Sequence, residues 1–283
     1  DLFQGNVNSI AIGPAPKFMK EDTIYCSYDG HYFYENYNDL IEDKKLNKKP
    51  YYNYYQYIPH RTTSYLNNST YNAYLEQYGV SDASVLYNQA DIFFKMQNKY
   101  SINASMMYAL ALNESGLGLS QYAIDYNNLF GHAAIDENPN NANQYSSLVD
   151  CVKQHAYNFL QQGYLNPNDS RYHGSWFGDK ASGINVSYAS DPYWGEKAAS
   201  FYYHLDEGGI DQEKNPIKTI QLSKDLKVYA PNKKDVLYTY KKGEIVSIHI
   251  LKEEIGYYKI SSEAPVKDND LNVNSKYKNS YAY

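Results

Sequence analysis

Glu114 closes an apolar run and stands two residues before Gly116, within ALALNESGLGLSQYAIDYNNLFG from Ala109 to Gly131. Asn103 is a natural cap, and Met106, Met107, Leu110 and Ala111 share one helical face, so the spacing predicts a helix over 103–114. A carboxyl in the last turn of such a helix meets the negative end of the macrodipole and an apolar flank. Both keep its proton on. A neutral carboxylic acid near pH 7 can protonate the leaving oxygen of a glycosidic bond. On the local pattern alone a second reading stays open, in which Glu114 is a solvated helix end before a glycine cap.

Other familiar chemistry is missing from the sequence. There is no GxGxxG, P-loop, GxSxG or HExxH, and the seven His do not cluster at ligand spacings. Cys151 and His155 lie four residues apart on one helix face, which an ordinary half-buried face explains better than a nucleophile. Cys26 and Cys151 belong to no CxxC pattern, so neither a zinc site nor a dense disulfide framework is indicated, and whether they pair stays open. No metal or cofactor is expected. A formal net charge of -6 would repel a phosphate backbone, which argues against nucleic acid and anionic membranes as partners. No apolar run approaches the roughly 18 residues of a membrane span. The chain begins at Asp1 without a basic or apolar leader, so it reads as a mature or excised fragment whose export signal would lie upstream.

Elements able to position Glu114 follow from periodicity. Tyr65, Leu66, Tyr71, Tyr74, Leu75 and Tyr78 predict a helix over 62–79, and the caps Ser81 and Asp82 open another to about Tyr100. Helices are also expected over 148–163 and 193–205. After Asp211 the period changes, and 226–229, 236–240, 245–250 and 257–260 read as short strands separated by Pro231, Gly243 and Gly256. The expected class is α+β, mainly helical, divided into a docking segment 1–61, a helical domain 62–212 and a β segment with tail 213–283. Tyr supplies 35 of the 46 aromatic rings, a bias that A/T-rich codons explain without any function.

The run Asn103–Glu114, then Ser115, Gly116, Gly118, Ser120 and NNLFG at 127–131, resembles the signature of bacterial N-acetylglucosaminidases of glycoside hydrolase family 73. YASDPYWGEKAA at 188–199 and HAAIDENP at 132–139 are similar to two further segments of that family, in the same order. The Tyr-rich style with a β tail is similar to clostridial autolysins of the Acp type. The tail, through Lys242, Gly243, Gly256, Tyr257 and Tyr258, resembles a bacterial SH3-like module.

The resemblance implies a lysozyme-like fold with a cleft. It also implies a secreted, monomeric autolysin that hydrolyses the β-1,4 bond after N-acetylglucosamine in peptidoglycan, for wall turnover and daughter-cell separation. Glu114 is then the general acid. Asp136 ranks first as second carboxylate, ahead of its neighbour Glu137 and of Asp191, although only about sixteen residues separate Gly131 from Leu148, too few for the β segment of flagellar relatives. Tyr188 matches a Tyr that the family requires. Asn128 and Phe130 are expected to shape the cleft or touch sugar, and Trp176, between Gly174 and Gly178, is either a stacking platform for a sugar or a plug against the core.

Overall fold

A computed structural model of the chain describes residues 9–132, 143–261, 263 and 280–282. Its centre is helix α5, Ala104–Glu114, in which every residue from Ala104 to Leu112 is buried. A helix apolar on all sides must be surrounded. Around it pack α4 (Ala90–Tyr100) and α9 (Trp194–Leu205), and α3 (Asn68–Gln77) lies against both of these. As the sequence leads one to expect, the Asn103 side chain caps α5 by accepting from Met106 N at 3.0 Å.

Two helices begin later than periodicity predicts. Residues 62–66 are not helical because other parts of the chain take up their main chain: Gln97 Oε1 accepts from Ser64 N at 2.8 Å, and Asp211 Oδ1 from Tyr65 N at 2.6 Å. Helix α3 therefore starts after its Asn67 cap. Helix α4 starts at Ala90, since the Ser84 hydroxyl donates to Leu117 O at 2.6 Å and ties 81–89 to the turn that follows α5. The expected helix over 148–163 is present as α7, Leu148–Gln154, continuing as a π-helix over His155–Tyr164. Ten residues of apolar pattern cannot separate a 3.6 period from the wider π turn.

Helix α6, Gln121–Tyr126, follows the turn after α5, and in the N-terminal segment strands Cys26–Ser27 (β1) and Phe33–Tyr34 (β2) form a hairpin followed by the short helix α1, Tyr37–Ile41. This segment docks on the helical body through α2, Tyr54–Tyr57, and through Asp179, which accepts from Tyr57 OH at 2.7 Å and lies 3.0 Å from His31 Nε2. Beyond α9 and the short α10 (Ile210–Lys214), strands β3 (Ile217–Gln221), β4 (Leu226–Tyr229), β5 (Val236–Tyr240), β6 (Ile245–Glu254), β7 (Tyr257–Ile260) and β8 (Ser280–Ala282) make an antiparallel sheet ordered β3-β6-β7-β8-β4-β5. β3 is a strand the sequence pattern did not single out.

Sheet and helical body share a second core in which Tyr57 and Trp176 pack with Val228, Tyr240, Val246 and Ile260. Glu263 completes the junction. One of its oxygens accepts from Tyr240 OH at 2.6 Å and from Tyr172 OH, and the other accepts from Ser175 OH. Among the described residues, no helix is long and apolar enough to cross a membrane.

Candidate active site

Glu114 ends α5, half-buried, with the walls around its two oxygens made by segments far away in sequence. Its Oε1 accepts from the indole Nε1 of Trp194 at 2.5 Å and from Asn113 Nδ2 at 3.4 Å. Oε2 faces the Cα side of Gly131, where a Cβ would stand 4.0 Å away. Gly131 has φ +61°, a conformation that glycine adopts without strain, and it leaves open space in front of that oxygen. Burial raises the Glu114 pKa, and the N–H donors of Trp194 and Asn113 oppose the shift by stabilising the carboxylate. The result is a carboxyl that holds its proton to higher pH than an ordinary glutamate.

Tyr188 ends the short helix α8, Asn185–Tyr188. Its ring lies 4.7 Å from that of Trp194 and 5.2 Å from that of Tyr164. Burial raises its hydroxyl pKa well above the ordinary value, and the neighbouring Glu114 charge raises it further. Tyr188, Trp194 and Glu114 thus form one group, assembled from three helices. Asp191 sits at the turn into α9, where it accepts from Tyr193 N at 2.9 Å and pairs with Lys197 at 2.6 Å.

The remaining candidates lie deeper. The Asn128 amide is committed to the main chain of His132, donating to its O at 3.0 Å and accepting from its N at 3.1 Å, so it shapes the turn that carries Gly131. Phe130 is 2% exposed and stacks on His155 at 3.6 Å, supporting the wall from behind. Trp176 is fully buried in the second core, its Nε1 donating to Ser182 Oγ at 3.1 Å. With no exposed ring face it corresponds to the plug of the two expected alternatives. Asp136 and Glu137 lie outside the described residues.

Two groups had no clear signal in the sequence. Trp194 reaches Glu114 across 80 positions. His155, grouped with Cys151 from its spacing, instead meets His132 Nε2 through its Nδ1 at 3.0 Å, and His132 Nδ1 meets Tyr145 OH at 2.6 Å. Burial lowers the pKa of both imidazoles, that of His132 to about 4, so they stay neutral props of the Gly131 turn. Cys151 is a free buried thiol whose pKa burial pushes up to about 12, far from a nucleophile.

Residues 90–207 match the Glucosaminidase family, described as mannosyl-glycoprotein endo-beta-N-acetylglucosaminidase. Two proteins of Streptococcus pneumoniae, strains TIGR4 and R6, both named "Putative endo-beta-N-acetylglucosaminidase", are each 38% identical over 130 residues, which is 45% of this chain and 19% and 18% of theirs. The chain therefore spans about a fifth of the length of these relatives. Among solved structures, S. aureus autolysin E is 21% identical with a TM-score of 0.42, covering 68% of this chain and 88% of that one. The same protein in complex with the muropeptide NAM-L-Ala-D-iGlu is 20% identical with a TM-score of 0.40, covering 68% and 87%. The stretch 90–207 that matches the Glucosaminidase family contains Glu114, Tyr188 and Trp194.

Proposed function

We propose that this chain cleaves the β-1,4 bond after N-acetylglucosamine in bacterial peptidoglycan, as a secreted, monomeric autolysin of the clostridial Acp kind that serves wall turnover and daughter-cell separation. The observation that carries the reading is the Glu114 carboxyl: burial makes it hold its proton to higher pH than an ordinary glutamate, one oxygen is tied by Trp194, and among the described residues the other has no donor on it. In this reading the proton on Oε2 passes to the glycosidic oxygen as the bond to the anomeric carbon breaks. Two schemes complete the reaction. An inverting enzyme needs a base about 6.5–9.5 Å from the acid, for which Asp136 is the proposed residue, whereas a substrate-assisted one lets the 2-acetamido oxygen attack. Tyr188, beside Glu114, is proposed to serve the reacting sugar in either scheme, with Asn128, Phe130 and Asp191 holding the surrounding walls.

The lysozyme-like domain is proposed to span 62–212, with 213–283 an SH3-like segment. The buried junction of Tyr57, Trp176 and Glu263 supports a bracing role for this segment over an independent wall anchor.

Reducing-end analysis of digested wall tests the activity. New N-acetylglucosamine ends support it, muramic or anhydro-muramic ends indicate a muramidase or lytic transglycosylase, and no new ends indicate a binding module. Proton NMR of the first anomer separates the schemes: α product means inversion, and Asp136→Asn should then cost about as much as losing the acid. A β product means retention and a mild Asn variant.

A further inference from the structure

An indole N–H can donate and cannot accept. Glu114 Oε1, which receives this donor at 2.5 Å, must therefore present a lone pair to it in both protonation states. Asn113 Nδ2 donates to the same oxygen at 3.4 Å, and a protonated oxygen would keep one in-plane lone pair for two donors, so the carboxylic proton is favoured on Oε2, the oxygen that faces Gly131.

Trp194 is itself held on every side. It is 4% exposed, its ring meets Tyr188 at 4.7 Å and Phe177 edge-on at 6.1 Å, and it is the first residue of α9. The next residue, Gly195, abuts the carbonyl of Gly178, where a Cβ would lie 1.8 Å from that oxygen, so the start of α9 is pressed against the 177–178 loop. These contacts leave the indole little freedom to turn its N–H elsewhere.

We infer that Trp194 is the positioning residue of the proposed reaction: its indole N–H locks the Glu114 carboxyl in one orientation and so fixes Oε2 as the atom that delivers the proton. The inference rests on the reading of Glu114 as general acid. Without the N–H only the long Asn113 contact holds Oε1, the carboxyl samples more orientations about its last bond, and a smaller fraction of them aim the proton at substrate. The same N–H stabilises the carboxylate, so its removal also moves the pH at which the acid ionises. Asn113 stays on Oε1 in the variant, and among the described residues the titratable group set against Glu114 is Tyr188, whose raised pKa keeps it neutral throughout this range.

The test is Trp194→Phe, which keeps an aromatic ring between Tyr188 and Phe177 and removes the donor. On soluble peptidoglycan fragments kcat should fall roughly 10- to 100-fold with KM nearly unchanged. Because the protonated acid is the active form, activity is lost as pH rises through the Glu114 pKa. Loss of a carboxylate-stabilising donor raises that pKa, so the alkaline limb should move up by about one pH unit. Should the Phe variant melt too low to assay, β-(3-benzothienyl)alanine introduced at position 194 keeps the bicyclic shape and lacks only the N–H. A wild-type kcat, or a lowered kcat with an unmoved alkaline limb, overturns the positioning role. Full activity in Glu114→Gln would instead overturn the general-acid reading itself, whatever Trp194 does.

Discussion

Glu114 and Glu263 are both withdrawn from water, and for both burial is the largest influence and raises the pKa. They differ in what meets their oxygens. Glu263, 3% exposed, has hydroxyls on both: Ser175 on one side, Tyr172 and Tyr240 on the other. Glu114 has its donors on Oε1 alone, and among the described residues none is placed on Oε2. A raised pKa therefore does not distinguish a catalytic acid from a structural one. What distinguishes them is an oxygen left without a protein donor, with room in front of it.

One substitution applied at both positions puts the comparison at risk. Glu114→Gln removes the transferable proton and keeps an acceptor for Trp194. Turnover of wall should drop about 10²- to 10⁴-fold with the melting temperature nearly unchanged, and a variant keeping more than a tenth of the wild-type rate breaks the comparison. Glu263→Gln should do the reverse. Its amide turns two donors toward a hydroxyl that is itself donating, which costs about 1–3 kcal/mol and lowers the melting temperature by several degrees, while kcat below the melt stays near wild type. Equal melting of the two variants would show that the hydroxyl set around Glu263 does not hold the junction.

The smallest effect is in pH. A carboxyl whose folded pKa lies above its unfolded value adds most stability below the unfolded pKa and loses that contribution as pH rises through the folded one. Wild type should therefore gain stability over Glu263→Gln on acidification from neutral pH toward the ordinary glutamate range, and paired melts across that interval read the difference. A constant gap would mean that Glu263 titrates as it does in the unfolded chain.

The helix that ends at Glu114 was legible because its signals are local: a cap at Asn103, an apolar run and a glycine stop, all within fourteen residues. Trp194 was not, since an indole donor and its acceptor on another helix meet only after α5 and α9 pack. Trp176 between two glycines can be read as an exposed loop ring. The fold instead uses those glycines for close approach, Gly178 to the main chain of Ser182 and Gly174 to the Trp176 ring itself. The i, i+4 spacing of His155 to Cys151, set aside as a nucleophile site, did not reveal its partner, because a π turn and a distant His132 decide it. The helix start at Asn68 was displaced by side chains from elsewhere that take up main-chain N–H groups, and the start at Ala90 by the Ser84 hydroxyl binding the distant Leu117 carbonyl, which no single-segment pattern contains.

β8 lies between β7 and β4, with Ala282 facing both Val228 and Tyr258. Without it the sheet is two pieces, the β3-β6-β7 set and the β4-β5 hairpin, each lacking a hydrogen-bonded neighbour on one side. The sheet can thus be completed only after residues 280–282 have emerged from the ribosome, some fifty positions behind the strand they join. The helical core, whose buried residues run from Tyr55 to Leu205, has no such wait. Synthesis would order the folding of the two parts, and a nascent chain would hold two open strand edges until β8 arrives.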